Sequence, residues 1–63
     1  MSKLDMIIDI YYRLFNCTFV DVNTNTIHST ENNITFDNTD ELIDFMLSEI
    51  RLLILYRIDE IMR

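Results

Sequence analysis

Three groups of side chains in this chain have the types and spacing that chemistry could use. Asp21, Asn23 and Asn25 stand at alternate positions, like the first ligands of an EF-hand calcium loop, with Ile27 placed to offer a backbone carbonyl and Ser29 at the water-linked position. The pattern breaks at its two most demanding places. The sixth position, where the loop turns sharply on a glycine, holds Thr26, and the twelfth, where a bidentate Glu closes the shell, holds Asn32, with Glu31 one residue early. The segment is therefore read as a polar turn, and no metal is expected. Cys17 and His28 are the only thiol and the only imidazole. Nucleophilic catalysis needs the two within hydrogen-bond reach and a third group to orient the base, which no local spacing supplies, and two residues make no zinc set. Cys17 lies among Leu14, Phe15, Phe19 and Val20 and reads as a small buried hydrophobe, and His28, alternating with Ile27, as a solvent-facing strand residue. The third group, Asp40, Glu41 and Asp44, can share one helix face, but acids in a first turn serve the helix dipole without any catalytic role. No catalytic residue, no cofactor site and no enzymatic activity are expected.

Charge is more telling. The 63 residues carry a formal net charge of -6, and between Leu14 and Ile50 there are seven acids (Asp21, Glu31, Asp37, Asp40, Glu41, Asp44 and Glu49) and no Lys or Arg. Phosphate contacts require a basic surface, so direct nucleic-acid binding is not expected. A band of one sign keeps a small protein soluble, and it can also dock onto a basic groove of another protein. Asp37, Asp40, Glu41 and Asp44 form the expected partner-binding patch.

These residues are positioned by a small set of elements. One cysteine cannot form an internal disulfide, and the chain is of a size at which one core is marginal, so a single small domain over 1–63 is expected to gain stability by oligomerising. There is no Gly and no Pro. Asn16, Asn23, Asn25, Asn32, Asn33 and Asn38 all fall between or at the ends of the helical segments, where asparagine best replaces glycine in the left-handed conformation. Ser2 and Asp5 suggest an N-cap, and Leu4, Ile7, Ile8, Tyr11, Leu14 and Phe15 then follow a helical stripe that ends near Asn16. Cys17–Asn23 and Thr26–Thr30 alternate as strands about the turn Asn23-Thr24-Asn25, with Asn33–Asp37 as a candidate short third strand. Asn38 and Glu41 form a second capping box at the start of a long C-terminal helix, 38–63. The resulting class is α+β: helix, β-hairpin, long helix, both helices on one face of a small antiparallel sheet. The alternative is an all-helical dimer with an ordered loop.

Asp5 and Asp9 interrupt the first apolar run, and Asp44, Glu49, Arg51 and Arg57 interrupt the last, so neither a secretory signal nor a membrane span is expected and the protein is placed in the cytoplasm. The Asn-x-Thr sequences at Asn16 and Asn33 carry no weight in that setting.

In the long helix, Leu42, Ile43, Met46, Leu47, Ile50, Leu53, Ile54 and Ile61 share one arc, with Ile58 at its edge, as the expected core stripe. Ile7, Tyr11, Leu14, Ile50 and Ile54 are expected to be buried. Phe45, Leu52 and Tyr56 line the opposite side, and a helix apolar on two sides is normally covered on both. These three define a stripe that either the chain's own first helix or sheet folds over or, as the favoured reading, a second copy or another protein covers. In general character, though in no motif, the chain resembles small acidic proteins of phages and mobile elements, including inhibitors of host nucleases. That resemblance implies a small acidic interaction module that occludes a nucleic-acid-handling protein through its basic surface; the alternative is an obligate homodimer with a structural or assembly role.

Overall fold

The computed structural model describes residues 2–62 and has two helices and a three-stranded antiparallel sheet, an α+β arrangement. In chain order these are α1 (Lys3–Leu14), β1 (Thr18–Asp21), β2 (Thr26–Ser29), β3 (Asn33–Thr35) and α2 (Thr39–Met62), with the strands side by side as β1-β2-β3.

Both helices start where the polar side chains dictate. The Ser2 hydroxyl accepts the Asp5 N–H at 3.1 Å, and Asn38 Oδ1 accepts the Glu41 N–H at 2.9 Å. Each satisfies a donor that the helix itself leaves orphaned. The Glu41 carboxylate reaches back to the Asp37 N–H, one residue beyond the usual capping-box partner. α1 closes on Phe15, whose N–H donates to the Tyr11 carbonyl.

The expected use of asparagine is met at one position. Asn25 is left-handed with φ 53°, but the other left-handed residue among those described is Cys17 at φ 66°, next to Asn16. Asn25 also ties three segments together: its carbonyl accepts the Phe36 N–H at 2.8 Å, and its Oδ1 accepts the Thr39 hydroxyl at 3.1 Å. Asp21 Oδ1 accepts the Asn23 N–H at 2.9 Å. Asp21 and Asn25, two of the would-be calcium ligands, are thus engaged in holding the turn, and no group of three or more metal-binding side chains occurs among the described residues.

In register, Val20 lies opposite Ile27 and Ile27 opposite Ile34. The core takes two residues from each helix and two from the sheet: Ile7 and Tyr11 from α1, Val20 and Ile27 from the sheet, Leu42 and Met46 from α2. Phe36 and Phe45 pack at its margin, ring centres 5.1 Å apart. On the other face of the sheet, Thr26 is buried with its hydroxyl bonded to Thr24 and, at 2.9 Å, to Thr35. The free edge of β1 is covered from within: the Tyr12 hydroxyl accepts the Val20 N–H at 2.9 Å and donates to the Val20 carbonyl at 3.4 Å. A side chain here plays the part of a neighbouring strand.

Three expectations about burial need correction. Cys17 is exposed, because the left-handed turn swings it out of the apolar run that surrounds it in sequence. Leu14 and Ile50 are half-buried instead of buried, and Ile54 is 46% exposed. The core stripe of α2 ends at Leu53; Leu47, Ile58 and Ile61 are exposed as well. The cause is length. The 24 residues of α2 span about 36 Å and the 12 of α1 about 18 Å, so α1 and a sheet of short strands cover half of the long helix. The remainder gives the molecule its 41 Å long dimension.

Burial, and secondarily the Glu49 carboxylate, raises the Tyr11 hydroxyl pKa above the ordinary value of 10.0. The folded state then holds its proton where the unfolded state has lost it. The contribution is complete below pH ~10 and is lost as pH rises through the raised value. Thermal melts between neutral pH and pH ~11 should show a falling midpoint whose slope is reduced in Tyr11→Phe.

Candidate functional site

Two surfaces stand out. The larger is the outer side of α2. At 100° per residue, Asp40, Glu41, Asp44, Ser48, Arg51, Leu55, Ile58 and Met62 lie on the side opposite the buried Leu42 and Met46. All eight are exposed. One face therefore runs from acidic at the start of the helix to apolar at its end. Asp37 stands exposed just before it, so the four acids of the expected patch are together around one helix end. Their common cause is local, since acids in a first turn interact favourably with the helix dipole.

The apolar half has no such local reason. From Ile54 to Met62 every residue is exposed, with Leu55 at 55%, Tyr56 at 62%, Ile61 at 83% and Met62 at 81%. The arc that faces the core in the first half continues here as Arg57 and Glu60, so the helix turns a polar side toward the space beyond the core. Of the expected stripe, Leu52 and Tyr56 are exposed alike, whereas Phe45 is half-buried against Phe36 and belongs to the margin of the core. Leu55, Ile58, Ile61 and Met62 extend the uncovered surface; Ile61 lies on the arc expected to face the core with Ile58 at its edge, and Leu55 and Met62 lie on neither expected stripe. The signal that could have found them was the polar pair Arg57 and Glu60, together with the shortness of the first helix.

The second surface is an open, mostly apolar hollow of about 300 Å³ lined by Cys17, Thr18, Phe19, His28, Ser29 and Thr30. It brings the lone thiol and the lone imidazole to one place, which sequence spacing did not indicate. Phe19 lies opposite His28 in the β1–β2 register, their ring centres 6.0 Å apart, and His28 is half-buried beside it instead of fully solvent-facing. No carboxylate lines the hollow to orient the imidazole. The arrangement thus lacks the third member on which an activated thiol depends.

No helix of the described residues is long and apolar enough to cross a membrane. No protein-family model, no curated protein and no solved structure matches this chain.

Proposed function

We propose that this protein is a small acidic interaction module that acts by binding another protein, in the manner of phage and mobile-element inhibitors that occlude a nucleic-acid-handling target, and not by catalysis. The observation that supports this most is the outer face of α2, where a rigid helix presents acids at one end and uncovered apolar side chains at the other. Acids attract and orient a basic surface, chiefly through the association rate, while apolar area supplies the binding energy. A basic groove that normally holds phosphates is the matching shape of partner, and covering it excludes the nucleic acid.

The test begins with capture of the target from lysate by the tagged protein. Asp40, Glu41 and Asp44 are then changed to Lys in pairs. All three are exposed; Glu41 also accepts the Asp37 N–H and the first-turn acids favour the helix dipole, so the melting midpoint should fall slightly while circular dichroism still reports the folded protein, and affinity falls about tenfold at low salt and less at high salt. Affinity indifferent to both charge and salt would leave the acidic end as a solubility device and remove the occlusion reading.

A further inference from the structure

We infer that the uncovered half of α2, residues 51–62, is covered by the same segment of a second copy running antiparallel to it, with the two helices crossing near Leu55. The inference rests on the reading of α2 as an interaction surface and names what occupies its apolar end.

Surface area is the first reason. The chain exposes 4879 Å², whereas a compact monomer of its 7.6 kDa exposes about 4300 Å². The excess, about 600 Å², approaches the ~800 Å² that each partner contributes to a standard interface. On the overhang, Leu52, Leu55, Tyr56, Ile61 and Met62 are each more than half exposed. A helix apolar around most of its circumference is normally a buried one.

Charge order is the second reason, and it selects both the partner and the direction. Of the charges along the overhang, Arg51 lies on the Leu55–Ile58–Met62 side and Asp59 beside it, four residues before and four after Leu55, whereas Arg57 and Glu60 lie on the far side. Antiparallel pairing of identical helices sets the basic end of each against the acidic end of the other, and parallel pairing sets like against like. The same direction carries the two acidic bodies, whose stretch from Leu14 to Ile50 holds seven carboxylates and no Lys or Arg, to opposite ends of the pair. Leu55 and Met62, seven apart with Ile58 between them, provide the repeat such a seam requires.

The experiment reads mass and orientation. Light scattering on the wild-type protein at tens of micromolar should give twice the monomer mass, and Leu55→Glu should give the monomer with its helical signal largely retained. In case that variant fails to fold, orientation is read by cross-linking in a Cys17→Ser background. Leu55→Cys should form a disulfide-linked dimer on mild oxidation. Ser48→Cys should not, because in the antiparallel pair the two positions stand about 14 residues, or ~21 Å, apart along the helices, far beyond disulfide reach. A wild-type monomer at 100 µM (~0.1 mM), a cross-link at Ser48→Cys, or a dimer that Leu55→Cys does not trap would each overturn the inference. Target capture and its charge dependence are separate readouts, so a monomer that still binds its target through the acidic end overturns self-pairing alone.

Discussion

Truncating either of the two fully buried side chains, Leu42→Ala or Met46→Ala, is expected to remove a large share of the protein's stability or all of it. Both are 0% exposed and touch the shared core of both helices and the sheet. Replacing a buried Leu or Met by Ala costs about 2–5 kcal/mol, and a chain of 63 residues has roughly 3–9 kcal/mol to lose. Urea unfolding followed by circular dichroism should show the folded baseline shortened or gone. The control is Ile54→Ala, on the same helix but 46% exposed, which should cost under half as much. Equal costs at Met46 and Ile54 would mean that the core runs on along α2 past Leu53.

Reading the sequence located most of this architecture because its signals are local. Ser2 with Asp5, and Asn38 with Glu41, mark helix starts through bonds made within three residues. Ile27 alternates with the more polar Thr26 and His28, as a half-buried sheet requires. What escaped the reading depends on distance or on tertiary context. Helical periodicity assigns Ile58 and Ile61 to a core face but contains nothing about where the covering elements stop. Whether Asn16 or Cys17 takes the left-handed turn is decided by how the chain must leave α1 for β1, against the intrinsic preference for asparagine. The acidic patch was legible as composition, and its gathering at one helix end follows from four neighbouring positions. The hollow that joins Cys17 to His28 arises from strand register, which pairs residues ten or so apart and leaves no mark on local spacing.

The second large effect belongs to a residue whose periodicity gave no hint of its role. Tyr12→Phe should cost about 1–3 kcal/mol, since it removes the hydroxyl that meets both the N–H and the carbonyl of the buried Val20. The ring remains, so the loss reports the polar contacts and not packing. Beyond stability, the change uncovers backbone donors and acceptors on the edge of β1, the kind of edge along which sheets of different molecules join. A shifted urea midpoint together with concentration-dependent thioflavin binding or turbidity is the expected pair of observations. A midpoint within ~0.5 kcal/mol of wild type would show that water replaces the hydroxyl at no cost.

The position of Asn25 has a practical consequence for anyone who wishes to attach something to this molecule. Hairpin tips are ordinarily the safest place to insert foreign sequence. Here the tip is knotted to the strand and helix that follow, through Phe36 and Thr39, so lengthening the loop at 22–25 would pull on the start of α2. The tighter-looking turn between β2 and β3 is the better graft site. Its hydrogen bonds join Ser29 to Asn32 and leave Thr30 and Glu31 exposed between them, so a tag or an epitope placed there can leave both helices where they are.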